Sequence, residues 1–445
     1  MPPISIERTQ RDATPAGADQ GGGGRVTRTA RGRAPRDGLP ESSLAFALEG
    51  YRFGTRRFRA TGGDVVEVRL ALQRTLVLRG AEAARVLYDT RRFVRRGAMP
   101  GLLRKTLLGV GGVQGLDGEA HRARKAMFLS VLGPERAHEL ADEVRRCWHE
   151  ALPRWERARE VVLLDEVAEV LCRAVCAWAG VPLPEHDVAR RTRDLRSLIE
   201  EAGDPRLGYA RARLGRRRAE AWCAGVVEQV RDGSLAAAEG SALHAVAGYR
   251  EPGGDLLEPR VAAVELLNVL RPTVAVHRWV ALAALALHEH PGWRTALRGS
   301  DDDVLPFVHE VRRYYPFFPV VAARVRRTFE WRGVRFPAGR RVLLDVTATD
   351  RDPAAWDDPD AFRPERFRSK DIGAFDLVPQ GGGDHATGHR CAGEWVTIDI
   401  MATAVRALVR DMTYVVPPQD LRVSTTRMPT APADGLVLRD VRARR

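Results

Sequence analysis

Between Pro259 and His288 the sequence is apolar nearly all round at helical spacing. As one helix, rising 1.5 Å per residue, this stretch would span about 45 Å, the width of a whole domain. A helix without a polar face has to be buried on every side, so the fold must wrap around it. One residue in its middle resists that burial. Arg271 is permanently charged, and Val264, Asn268, Arg271 and Ala275 share a face by their spacing of four, three and four. A lone buried cation is expensive, so Arg271 needs an anion. Three arrangements answer that need: a protein carboxylate such as Glu265, a turn outward to solvent, or an anionic substrate held by the planar fork of the guanidinium. Pro272 follows directly, and its ring clashes with the Asn268 carbonyl, which predicts a kink.

With 445 residues, 44% of them apolar and 29% charged, the chain has material for a sizeable core. No stretch reaches the roughly 18 uninterrupted apolar residues of a membrane span. The formal net charge is +13 and is carried by arginine, since Lys105, Lys125 and Lys370 are the only lysines. Arginine is spread along the chain and no nucleic-acid motif accompanies it, so the charge reads as a solvated surface and nucleic acid is not expected as a partner. Five cysteines without a CxxC pair imply a reducing compartment, the cytoplasm. Cys172 and Cys176 lie four apart in an apolar helical run, as small buried side chains do.

Residues 1–40 are rich in Gly, Pro, Arg and Thr and lack an apolar period, which predicts a disordered tail. Glu7, Asp12, Asp19 and Asp37 weigh against a transit peptide there. Residues 41–445 contain no second linker and no internal repeat, which predicts a single domain. Val65 to Leu70 and Arg74 to Leu78 have the alternation of a hairpin, and helical periodicity then dominates to about residue 315. Beyond residue 325, Phe329 to Trp331, Val334 to Phe336 and Arg341 to Asp345 read as strands joined by tight turns. The expected class is mainly helical with a small sheet component.

A glycine-rich loop, Gln380-Gly381-Gly382-Gly383-Asp384-His385-Ala386-Thr387-Gly388-His389-Arg390-Cys391, opens onto a helix. Glycine lets backbone approach a flat cofactor closely, while helix-terminal amides and nearby cations lower a thiol pKa. Cys391 is therefore a candidate axial thiolate of a haem iron. The same loop also suits a phosphate-type turn or a structural turn with a bystander cysteine.

Two further segments precede the loop: Glu310-Val311-Arg312-Arg313, and Phe362-Arg363-Pro364-Glu365-Arg366-Phe367. In this order, with the cysteine loop after them, they resemble the cytochrome P-450 superfamily. That resemblance implies haem b between the long central helix and the Cys391 loop, with Glu310, Arg313 and Arg366 as a buried ionic network bracing the loop. Two features depart from the general pattern. Asp384 and His385 stand where Phe-Gly is usual, and Asn268-Val269-Leu270-Arg271-Pro272-Thr273 replaces the acid and threonine that deliver protons.

Arg271-Pro272, the displaced Gly-Gly-Gly loop, Leu285-Ala286-Leu287-His288-Glu289-His290-Pro291 and Val311 to Phe317 are similar to the bacterial fatty-acid peroxygenases. This implies oxidation of medium- to long-chain fatty acids by hydrogen peroxide without an obligatory redox partner. Arg271 and Pro272 would shape the catalytic site, Arg271 clamping a carboxylate that itself serves as general acid/base. Clamping would leave the alpha and beta carbons nearest the iron. The resemblance further implies that Gln114 favours hydroxy-acid over alkene products and that His121 and Lys125 contact haem propionates, with Arg95 a further candidate. A surface cation pair explains His121 and Lys125 equally well. Leu108 replaces an aromatic residue near the haem. Val320 and Val321 either line the alkyl channel or simply pack the core. Alternatives on the same fold are a fatty-acid decarboxylase and a redox-partner-dependent monooxygenase, and a non-catalytic binding protein stands outside it.

Overall fold

A computed structural model describes residues 32–202 and 207–444. For residues 1–31 the expected tail lies outside the described residues. Residues 32–40 depart from it: Gly32 bridges Val334, Arg36 bridges Glu67, and Asp37 accepts hydrogen bonds from Ser42 at 2.7 Å and Arg57 at 3.1 Å. The ordered domain therefore begins ahead of residue 41, because a basic, glycine-bearing segment finds partners along the edge of a sheet that its composition does not announce.

The core and site helices are α1 (Gly118–Leu132), α2 (Pro134–Arg157), α3 (Leu163–Ala179), α4 (Val188–Glu200), α5 (Leu207–Arg231), α6 (Pro259–Ala275), α7 (His277–Glu289), α8 (Val304–Tyr314) and α9 (Glu394–Arg406). The single long helix of the sequence reading is thus divided at Val276. Pro272 offers no N–H to the Asn268 carbonyl, and the His277 ring nitrogen lies 2.6 Å from the Val274 carbonyl. Helical bonding tightens there, the Val276 N–H turning back to Thr273 at 3.2 Å. The α6–α7 span is long and apolar enough to cross a membrane, yet 94% of that apolar window is buried inside the protein. It packs on α3, α4, α5, α8 and α9. Leu266, Leu270, Val274, Leu282 and Leu285 enter one large core with Trp148 and Trp155, whose rings meet edge to face at 5.1 Å. Burial of each such leucine contributes roughly 1.5–3 kcal/mol. Cys172 and Cys176 are fully buried in the same core.

The strands are β1 (Val65–Leu70), β2 (Gln73–Leu78), β3 (Phe93–Val94), β4 (Val161–Val162), β5 (Val320–Val325), β6 (Phe329–Trp331), β7 (Val334–Phe336), β8 (Arg341–Asp345), β9 (Met412–Val415) and β10 (Val437–Ala443). The main sheet has the order β1-β2-β8-β5-β3, with β2 and β8 parallel and the remaining neighbours antiparallel. The β1–β2 hairpin turns at Ala71 and Leu72, both left-handed with φ of 49° and 62°. Neither is a residue that favours this region. Side-chain acceptors offset the strain: Ser43 Oγ takes the Ala71 N–H at 2.7 Å and Glu41 the Leu72 N–H at 3.1 Å. A second sheet, β4-β10-β9, and the β6–β7 hairpin complete the β component.

Two buried carboxyl groups follow β8, and the second reaches the segment that leads to the cysteine loop. Asp345, at the end of β8, accepts from the Ala348 N–H at 2.8 Å, and Asp350 accepts from the Val378 N–H at 2.7 Å. Burial pushes Asp345 up to about 7 and Asp350 up to about 8. Between the unfolded value near pH 4 and these folded values the native state holds more protons than the unfolded chain. Their contribution to stability is therefore full below about pH 4 and is lost as pH rises through 7 to 8. Asp350→Asn keeps an acceptor for Val378 and has no proton to lose. Its stability relative to the wild type should climb between pH 4 and pH 8 in denaturant unfolding, and a pH-independent difference would refute the assignment.

Candidate active site

One face of α6 carries a chain of polar groups. Glu265 is fully buried, and burial raises its proton affinity. Its carboxylate is held by Arg124 of α1 at 2.5 Å and by the Asn268 amide at 2.8 Å. The same Asn268 nitrogen lies 3.3 Å from the Gln114 side-chain oxygen, in the turn Val113–Gly115. Asn268 Oδ1 accepts from Arg271 Nη2 at 3.2 Å. Among the described residues Arg271 is thus buried without any carboxylate partner, and its Nη1 has no hydrogen-bond partner. Two of the three arrangements open to it are thereby removed, since Glu265 is engaged elsewhere and the guanidinium does not reach solvent. Burial lowers Arg271 to about 9, the Arg216 charge pushing the same way and the Cys391 sulfur opposing both. It stays charged at neutral pH, within electrostatic reach of the cysteine.

The cysteine loop is set by its own backbone and by α8. Cys391 N–H donates to Gln380 O at 3.0 Å. Gly381 and Gly383 take φ of 91° and 89°, and a Cβ on Gly381 would stand 2.5 Å from the Tyr88 hydroxyl. These glycines serve the turn and the packing of Tyr88. Burial pushes the Cys391 thiol up, against the Gly393 amide, Lys125 and Gln380, which lower it. The neighbours therefore do not ionise the sulfur by themselves.

Glu310, Arg313 and Arg366 come together. Arg313 binds Glu310 through two bonds of 2.6 and 2.7 Å, and Arg366 Nε lies 3.4 Å from the same carboxylate. Arg313 also donates to the carbonyls of Asp350, Pro359 and Ala361. This network fastens the 350–366 segment instead of the cysteine loop directly. The direct brace is a residue whose role the sequence reading missed: Arg312 donates to Glu394 at 2.5 Å and to Gln380 at 3.1 Å. Its signal was its place beside Arg313, about 100° round the helix.

On the other side of the loop, Arg95, His121 and Lys125 converge with His389. The His121 and His389 rings stack at 3.8 Å. Burial holds His121 down to about 4 and His389 down to about 2. Lys125 Nζ is buried and donates to the carbonyls of Gly388 and Arg390, so it ties the loop to α1. Arg95 donates to Ala322 O at 2.7 Å, and its Nη2 is buried without a partner. His121 and Lys125 are therefore no surface pair. Leu108 is half-buried at the end of the turn Arg104–Leu108. Val320 and Val321 are half-buried in β5 opposite Asp345 and Leu344.

The cytochrome P-450 family model matches residues 306–437. Among solved structures, cytochrome P450SP alpha (CYP152B1) in complex with (R)-ibuprophen is 48% identical, with 91% of this chain and 99% of that chain covered and a TM-score of 0.89. Cytochrome P450EX alpha (CYP152N1) with myristic acid is 41% identical, over 92% of this chain and 99% of that one, at a TM-score of 0.89. A variant of cytochrome P-450 OleT in complex with arachidonic acid is 33% identical, over 93% and 99%, at a TM-score of 0.90. Among curated proteins, rhazimal synthase of Alstonia scholaris is 40% identical over 131 residues, 27% of this chain and 25% of that protein. The chain spans a quarter or less of the length of the curated relatives it matches. Fold and site together define a haem-thiolate oxidoreductase. The chain belongs to the cytochrome P-450 superfamily and, within it, to the fatty-acid peroxygenases.

The residues fit such a group. Cys391 would supply the thiolate, and Arg95, a cation with an unpartnered nitrogen among the described residues, stands with the neutral His121 and His389 rings as a set of donors suited to two carboxylates. Arg312→Leu should lower stability by about 3 kcal/mol, the lower end for a broken buried ion pair because Arg390 still reaches Glu394. Haem content per purified protein should fall with it. Unfolding in denaturant and a haem-to-protein ratio measure the two, and an unchanged ratio would exclude Arg312 as the brace.

Proposed function

We propose that this enzyme uses hydrogen peroxide, without an obligatory redox partner, to hydroxylate medium- to long-chain fatty acids at the alpha or beta carbon. In this reading haem b is its prosthetic group and Arg271 the clamp for the substrate carboxylate. The observation that carries the reading is the buried Arg271, with Nη1 unpartnered and its one nearby acid, Glu265, occupied by Arg124 and Asn268. A buried guanidinium left without an anion is destabilising, and a carboxylate matches it through two parallel hydrogen bonds. The myristic and arachidonic acids of the related structures support the substrate class.

A haem held by Cys391 supplies, when bound, the activation of peroxide for C–H oxidation. The protein's part is positioning and proton transfer. Arg271 holds the carboxyl end, and Asn268 orients the guanidinium by accepting from Nη2. The held carboxylate stands in for the missing acid and threonine and relays a proton between the two peroxide oxygens. Fixing the carboxyl end leaves C2 and C3 as the carbons nearest the site of oxidation. Gln114, tied to Asn268, borders this region, and by its likeness to hydroxylating relatives it favours a 2- or 3-hydroxy acid over a terminal alkene. Five free cysteines accord with a cytoplasmic location.

Purified enzyme incubated with a long-chain fatty acid and hydrogen peroxide alone should yield the hydroxy acid by mass spectrometry. Turnover that appears only with ferredoxin and NADPH would establish a partner-dependent monooxygenase instead. Arg271→Ala should lower kcat/KM by about 10²-fold or more, as loss of an orienting group does, while keeping the thiolate-ligated haem spectrum. Retained turnover would sink the clamp.

A further inference from the structure

Arg216 of α5 is completely buried and takes no part in the chain of contacts around Arg271. Its Nε donates to Glu220 at 2.7 Å, one turn along the same helix. Nη1 reaches the Leu107 carbonyl at 3.4 Å, and among the described residues Nη2 is buried with no hydrogen-bond partner. That nitrogen lies against Gly109, whose φ is 86°. A Cβ at Gly109 would collide with it and stand 2.5 Å from Val264 Cγ1. Arg216, Gly109 and Val264 therefore interlock, and Val264 lies on the α6 face that carries Asn268 and Arg271.

The same segment is held again at its far end. Gln114 accepts from Asn268, and a Cβ on Gly112 would be 3.0 Å from Asn268 Nδ2 and 3.1 Å from Gln114 Oε1. Residues 107–114 are thus pinned at two points, to α5 through Leu107 and to α6 through Gln114. Gly109, Gly111 and Gly112 lie between the pins, where glycine leaves the backbone free to take other conformations. Leu108 sits immediately beside the first pin. An apolar side chain would fill the Arg216 site without the desolvation that a buried charge brings. The guanidinium is suited instead to gripping a carbonyl of a glycine-rich segment.

We propose that Arg216 is a positioning residue for the oxidation: by fixing the start of the 107–114 segment between α5 and α6 it places Leu108 against the acyl chain, and so sets the balance between alpha and beta hydroxylation. The inference rests on Arg271 holding the carboxylate, because a register along the chain has meaning only when one end is fixed.

Arg216→Met, compared with wild type on one saturated fatty acid, should shift the ratio of 2-hydroxy to 3-hydroxy acid by about threefold or more, modest beside the ~10²-fold that a 1 Å misplacement can cause. Calorimetry should show weaker binding of the acid, with the thiolate-ligated haem spectrum unchanged. Arg216→Lys, which keeps a donor for Leu107, should move the ratio back toward wild type. Glu220→Gln, which loosens the guanidinium from behind, should shift it in the direction of Arg216→Met and serves should that variant fail to fold. A wild-type ratio and affinity in folded Arg216→Met, or in Glu220→Gln where the former does not fold, would overturn the proposal. Turnover retained in Arg271→Ala would instead overturn the clamp on which it rests.

Discussion

Arg271 carries a charge into the most apolar part of the molecule, and the polar groups on α6 are arranged around it. Glu265 is the only carboxylate on that helix, and at neutral pH it would be the natural partner. Arg124 draws it off from the side of α1, and Asn268 takes its second oxygen. Asn268 is the joint of the arrangement. Its amide nitrogen faces two oxygens, those of Glu265 and Gln114, so its own oxygen is left to face Arg271. The contacts thus run from Arg124 of α1 along one face of α6 through Glu265 and Asn268 to Arg271, and the last guanidinium nitrogen has no partner among the described residues. Buried networks are most stable when every member is paired. One that ends in an open cation is preorganised for an anion.

On the cysteine side the constraint runs the other way. Burial opposes the charge on Cys391, and the Gly393 amide, Gln380 and Lys125 only partly counter it. A metal cation ionises a coordinating thiol outright, so the protein's task is to hold the sulfur in place. Consecutive arginines on α8 divide that labour. Arg313, with Glu310, fastens the segment leading toward the loop, while Arg312 fastens the loop and the first turn of α9 through Gln380 and Glu394. Lys125 closes the other side by binding the carbonyls of Gly388 and Arg390.

Patterns local in sequence were legible. The apolar period of α6 and α7, the alternation of β1 and β2, and the glycine-rich approach to Cys391 each declare themselves within a few turns or strand repeats. The parallel pairing of β2 with β8 was not legible, nor were the two-residue strands β3 and β4, because their partners lie far along the chain. The site divides in the same way. Arg271 stood out because a charge interrupts an apolar helix, and Glu310, Arg313 and Arg366 because their segments are distinctive. Asn268 and Arg216 have no such local signal, and that of Arg312 is only its place beside Arg313. Each matters through an oxygen that only tertiary packing brings near: Asn268 and Gln114, Arg312 and Gln380, Arg216 and Leu107.

Thr273, next to Pro272, bears on how specificity and chemistry are joined. A threonine in the central helix looks like half of a proton-delivery pair, yet its hydroxyl donates to the Val269 carbonyl at 2.9 Å and is buried. The helix backbone uses that proton, and no acid precedes the threonine. In the function proposed, the proton relay comes with the group that meets Arg271. A carboxylate substrate brings both the anion that completes the buried network and the oxygen that can carry a proton. A neutral analogue of the same length brings neither, and it leaves a buried donor unpaired, the situation in which a polar site discriminates most strongly. In the function proposed, one arginine thereby makes recognition of the acid and progress of the reaction a single requirement.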